Sequence, residues 1–96
     1  MPAEDVISTI QKHRNTLHSM GVKSLEIFGS TARGDARPDS DIDLLVEFVQ
    51  PASFDRYMDL KFYLEDLTGK RVDLVTRSAL KPRLRTSIEA EAVRVA

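Results

Sequence analysis

Between Pro2 and Gly21 the apolar side chains Val6, Ile10, Leu17 and Met20 recur at the spacing of one helix face, with Glu4 and Asp5 in the first turn and Gly21 placed as a stop. His13 fills the gap in that stripe and His18 lies off it; neither has a partner ligand at i+4, so both read as packing or surface residues rather than metal ligands. The period then changes. Val22 to Phe28 is short and β-rich, and from Asp41 to Phe48 the chain alternates strictly: Ile42, Leu44, Val46 and Phe48 take one face, Asp41, Asp43, Leu45 and Glu47 the other. Both read as strands, joined through turn chemistry at residues 34 to 40. Ser53 or Asp55 is placed to cap a helix running to about Thr68 and stopped by Gly69, and Arg71 to Thr76 is a third strand. After Ser78, Leu80, Leu84 and Ile88 are spaced by four, Pro82 sits near a helix start, and Thr86-Ser87-Ile88-Glu89 fits a capping box; one broken helix or two short ones fit equally well.

The order α-β-β-α-β-α predicts an α/β (α+β) domain, a small mixed sheet with helices packed on it in two or three layers. The chain of 96 residues is long enough for one core and too short for two, so residues 1–96 are expected to form a single domain. Its 14 basic and 15 acidic side chains leave a formal charge of -1, which provides no global field toward nucleic acid or a membrane. Without cysteine there is neither a disulfide framework nor a thiolate metal site. Nothing near the start resembles a signal peptide or membrane span, and a cytoplasmic location is expected.

Asp41 and Asp43 leave the same strand face a few ångströms apart, with no basic side chain between them. Two like charges held so close call for a cation, and hard oxygen ligands suit Mg²⁺. With Val72 and Leu74 facing the core, Asp73 faces the other way, where it meets that pair across adjacent strands. Gly29 permits a sharp turn and close approach of a ligand, and Ser30 is placed to cap the short turn Ser30-Thr31-Ala32-Arg33, whose free N–H groups would point at an anion. A phosphate cradle beside a carboxylate cluster is the layout of metal-assisted phosphoryl chemistry. There is no P-loop or dinucleotide fingerprint. The run Asp39-Ser40-Asp41-Ile42-Asp43 imitates a calcium loop but has Leu44 where that loop needs Gly and Gln50 where it needs Glu.

Gly29-Ser30, ten intervening residues, Asp41-x-Asp43 and a third aspartate on a later strand resemble the signature of the DNA polymerase β-like nucleotidyltransferases. More narrowly, residues 28–48, Arg71 to Val75 and the ending from Leu80 to Val93 resemble the minimal nucleotidyltransferases, the MNT antitoxins paired with HEPN-domain ribonuclease toxins. The resemblance implies that Gly29 and Ser30 hold nucleotide phosphates, that Asp41 and Asp43 ligate two Mg²⁺ ions, and that Asp73 completes one metal site and helps to activate the incoming hydroxyl. It further implies transfer of AMP from ATP to a tyrosine of the cognate HEPN toxin, with no direct nucleic-acid or membrane partner. The alternative is a non-catalytic antitoxin that neutralises its toxin by occlusion.

Two further features bear on partners. On the helix from Ser53 to Thr68, Tyr57, Leu60, Leu64 and Leu67 form one apolar arc, which Phe54, Met58 and Phe62 widen beyond a single core-facing stripe; the surplus either docks another chain or lies under the C-terminal helix. Arg33, Arg37, Lys81, Arg83 and Arg85 are candidate contacts for phosphates or an acidic partner, with Arg33, nearest the Gly-Ser turn, the first nucleotide-binding candidate.

Overall fold

The computed structural model describes residues 3–96. The first expected helix is two helices, α1 (Ala3–Gln11) and α2 (Arg14–Ser19). In an unbroken helix the His13 N–H would bond the Thr9 carbonyl; here His13 Nδ1 takes that carbonyl at 2.9 Å, and the N–H turns to Ile10 at 2.9 Å. The side chain thus competes with the backbone for one acceptor and tightens the chain at the break. Its ring also lies edge-on to Tyr63, centroids 6.3 Å apart, which makes it a packing residue. The apolar stripe survives the break: Val6, Ile10 and Leu17 are fully buried.

There follow β1 (Val22–Phe28), α3 (Gly29–Arg33), β2 (Ile42–Phe48), α4 (Phe54–Thr68), β3 (Val72–Thr76), a 3-10 turn (Arg77–Ala79), α5 (Pro82–Glu91) and β4 (Val93–Arg94). The sheet order is β3-β2-β1-β4. β1 runs antiparallel to both its neighbours, whereas β2 and β3 are parallel, so a crossover must join them, and α4 is that crossover. The result is the mixed sheet expected. The two-residue β4 was not anticipated, because a segment that short carries no period to read.

Both ends of α4 fall where their residue types place them. The Ser53 hydroxyl accepts from the Arg56 N–H at 3.2 Å, and Gly69 closes the helix at φ 69. Leu60 and Leu64 are fully buried against the sheet with Leu25, Ile27, Ile42 and Leu44, each such side chain contributing about 1.5–3 kcal/mol by leaving water. Leu45 on the opposite face of β2 is also buried, so the central strand is covered on both sides.

α5 is a single helix started by Pro82, and Thr86 to Glu89 lie in its interior rather than forming a capping box. Glu89, which that box would have used, instead pairs with Arg77 at 2.7 Å; Arg77 also pairs with Glu26 of β1 at 2.7 Å. α5 is thereby tied to β1 and packs on α3 and β1. Phe54 and Phe62 of α4 remain 75% and 52% exposed, so it does not cover them. Strand β3 lies at the sheet edge, and α4 protects that edge: the Tyr57 hydroxyl donates to the Leu74 carbonyl, and the Val72 N–H donates to Glu65 at 3.0 Å.

Candidate active site

One row across the sheet assembles most of the candidate residues. Phe28 of β1 pairs with Asp43 of β2, and Asp43 pairs in register with Asp73 of β3. The alternation that buries Ile42, Leu44, Val72 and Leu74 in the core turns Asp43 and Asp73 to the opposite face, on strands about 5 Å apart. Gly29 follows Phe28 with φ 73, a conformation that L side chains rarely adopt, and a Cβ there would collide with the Asp43 carboxylate. Glycine is required twice over: by the turn and by the close approach of the aspartate.

Residues Gly29–Arg33 form the short helix α3 rather than a turn capped by Ser30. The N-cap position falls on Phe28, without a side-chain cap bond, so Ser30 lies inside the first turn. The reversal at Gly29 starts the helix one residue earlier than a serine cap would. Gly34, at φ 80, ends it.

Asp43 is half-buried, while Asp41 and Asp73 are exposed. Burial raises the Asp43 carboxyl above its ordinary value, and the neighbouring charges of Asp73 and Asp41 push it further the same way, against a smaller opposing pull from Arg33. Asp41 stands one residue before β2, and no group of three His, Cys, Asp or Glu side chains among the described residues is arranged to hold a metal ion by itself. The expected convergence of three carboxylates is therefore a register pair, Asp43 and Asp73, with Asp41 close enough to act on Asp43 through its charge. Such a donor set, all hard oxygen and mutually repelling, fits the chemistry of Mg²⁺, which Asp43 and Asp73, with Asp41, would hold in an open site and not in a closed protein cage.

Arg33 is held by two carboxylates. Its Nη1 lies 3.2 Å from Glu91 Oε2 and 3.4 Å from Glu91 Oε1, and its Nε lies 3.4 Å from Asp35, contacts that raise its pKa, Glu91 most. Glu91 Oε1 also accepts the Gly29 N–H at 2.9 Å. Glu91 escaped the sequence reading because it lies 62 residues from Gly29, at the end of a helix whose resemblance to the family assigned no role to any single side chain.

Beyond Asp73, on the side of the sheet edge, opens a cleft of about 370 Å³ whose walls include Asp41, Tyr57, Met58, Lys61, Arg71 and Asp73. Burial, and then the charge of Asp73, raise the Tyr57 hydroxyl above its usual value. A larger, more apolar cavity of about 820 Å³ lies at the other ends of β2 and β3, between Val46, Phe54, Thr76 and Arg85, and includes none of the three aspartates. Arg37, Lys81 and Arg83 are exposed, and none of the ion pairs found among the described residues includes them.

Residues 8–95 match the nucleotidyltransferase domain model. Over 93 residues, 96% of this chain and 94% of the relative, the sequence is 40% identical to the protein adenylyltransferase MntA of Thermococcus cleftensis. A solved minimal nucleotidyltransferase superposes with a TM-score of 0.85 at 39% identity, covering 97% of this chain and 95% of the other. The MNT antitoxin bound to a tri-AMPylated HEPN toxin of Shewanella oneidensis shares the fold, with a TM-score of 0.61 at 17% identity over 91% of this chain and 71% of that one. The chain belongs to the nucleotidyltransferase domain family, and within it to the minimal nucleotidyltransferases. Among the described residues no helix is long and apolar enough to cross a membrane.

Proposed function

We propose that this chain, acting as one domain in the cytoplasm, transfers AMP from ATP to a hydroxyl, a tyrosine's in the first instance, of a HEPN-type toxin, and so serves as its antitoxin. The observation that carries the reading is the row from Gly29 through Asp43 to Asp73. It sets a turn able to meet phosphates on one side of the carboxylates and an open cleft on the other. The protein acceptor and the toxin partner are supported by the adenylyltransferase and antitoxin descriptions of the relatives.

In this reading Gly29 and Ser30 hold the phosphates of ATP at the β1 side, and Asp43 and Asp73, with Asp41, would hold two Mg²⁺ ions against the phosphate oxygens. Bound there, the metal would neutralise phosphate charge and lower the pKa of the attacking hydroxyl. Asp73, on the flank facing the cleft, orients the incoming hydroxyl. The hydroxyl oxygen bonds to the α-phosphorus, the bond from that phosphorus to the β-phosphate oxygen breaks, pyrophosphate leaves, and the hydroxyl proton passes to the surrounding carboxylate or water. The protein's share is positioning and charge placement.

The test uses ATP labelled at the α-phosphate, Mg²⁺ and a HEPN-type toxin chain as acceptor. Label should appear on the HEPN chain, and Asp41→Asn combined with Asp43→Asn should cut transfer by about a hundredfold or more. No transfer by the wild type under varied metal and nucleotide would count heavily against the reading. If the double variant still protects cells fully, occlusion replaces catalysis as the antitoxin mechanism.

A further inference from the structure

We infer that Glu91 is a built-in competitor of the nucleotide: its carboxylate takes the donors that the phosphates would use, and must give them up for ATP to bind. The inference rests on the nucleotide-binding reading of Gly29, Ser30 and Arg33.

The geometry is specific. Glu91 ends α5, and one of its oxygens receives the Gly29 N–H at 2.9 Å while both lie within 3.4 Å of the Arg33 guanidinium. Two of the three groups that would face the nucleotide's phosphates are thus already engaged by an anion of similar hydrogen-bonding chemistry. The Gly29 N–H has a single hydrogen, so it cannot serve the carboxylate and a phosphate oxygen at full strength together. Arg33 has donors to spare and is also held by Asp35 at 3.4 Å, so it needs no second carboxylate to stay near the turn. A carboxylate left in place would in addition repel the arriving phosphates across a few ångströms of partly buried space.

Release requires little of the fold. Glu91 is half-exposed, with 28% of its side chain in contact with solvent. The residues around it are fixed independently: α5 through Arg77 and Glu89, and the following segment by the hydrogen bond of the Val95 N–H to the Leu25 carbonyl at 2.9 Å. A change of rotamer frees the Gly29 N–H without moving the helix. The opposite arrangement would be a permanent strut, with Glu91 holding the turn and Arg33 in their working positions while ATP is bound.

The two arrangements predict opposite signs. Titration of the intact chain with Mg²⁺–ATP by calorimetry should show Glu91→Gln, which removes the charge and keeps the size, binding about three- to tenfold more tightly than wild type. Glu91→Ala, which removes the competing acceptor as well, should bind at least as tightly. Circular dichroism and ligand-free melting verify that each variant is folded. Weaker binding in the folded variants would establish the strut and overturn the inference, and unchanged affinity in both would overturn it equally. Absence of Mg²⁺–ATP binding in the wild type and both variants would sink the nucleotide-site reading itself. That failure is distinguishable from a failure of Glu91 alone, in which the wild type binds and Asp43→Asn does not.

Discussion

The two flanks of Asp43 are built on different electrostatic plans. On the β1 flank opposite charges meet: Arg33 lies between Glu91 and Asp35, and the Gly29 N–H ends on Glu91. On the β3 flank like charges meet: Asp73 stands in register with Asp43 and none of the ion pairs found among the described residues includes it, while Arg71 and Lys61 line the cleft beyond. The first flank is internally satisfied and must be opened to bind an anion. The second carries repulsion that only a cation or a proton relieves. Strain of this kind costs stability in the free protein and is retained where a ligand is to be received.

The largest effect should come from breaking the β1 flank at its hinge. Gly29→Ala puts a side chain at φ 73 and drives its Cβ into the Asp43 carboxylate. The backbone cost alone is about 1–3 kcal/mol, and displacing Asp43 disrupts the register row as well. A loss of about 3 kcal/mol in urea unfolding, together with loss of Mg²⁺–ATP binding, is expected. A loss below about 0.5 kcal/mol would mean that the turn relaxes freely and that its shape does not depend on glycine.

The next test acts at the junction of the flanks. Because the folded state raises the Asp43 pKa, the native protein holds that proton more firmly than the unfolded chain. Its contribution to stability is therefore fullest below the unfolded value, near 4, and is lost as pH rises through the folded one. At neutral pH the ionised side chain is a cost. Asp43→Asn should melt higher than wild type at pH 7 without metal, the gap should close toward pH 4, and the stabilisation that Mg²⁺–ATP gives the wild type should vanish. A lower metal-free melting temperature at pH 7 in the variant would show that the aspartate is not repelled where it stands.

How much of this was legible in the chain depends on the range of the interaction. β1, β2 and α4 follow from periodicity and caps, since Ser53 and Gly69 act on the nearest turn of backbone. That Asp73 shares the face of Asp43 was legible too, because alternation fixes the face; the parallel register that sets it beside Asp43 rather than Asp41 was not. What escaped depends on contacts that no local pattern encodes. The two-residue β4 and above all the Glu91 contact with Gly29 arise only once the chain has folded back on itself, whereas the His13 ring capturing the Thr9 carbonyl is local but depends on a side-chain rotamer that periodicity does not carry.

The smallest expected effect bears on the β3 flank. Tyr57 borders the cleft beside Asp73, a position that invites a role in proton transfer, yet its hydroxyl is committed to the Leu74 carbonyl on the sheet edge. Its raised pKa, from burial first and the charge of Asp73 second, keeps the proton on the oxygen and makes it a donor to the backbone rather than a base. Tyr57→Phe removes that hydrogen bond with little loss of packing, leaving a carbonyl that water can partly reach. The expected cost is about 1 kcal/mol, seen as a fall in Tm of roughly 4–8 °C for a domain of this size. Transfer to the acceptor should stay within about threefold of wild type, because the group serves the edge of β3 and not the reacting oxygen. A hundredfold loss of transfer with Tm unchanged would place the hydroxyl in the chemistry, and the β3 flank would then hold a proton-handling group of its own in addition to its carboxylates.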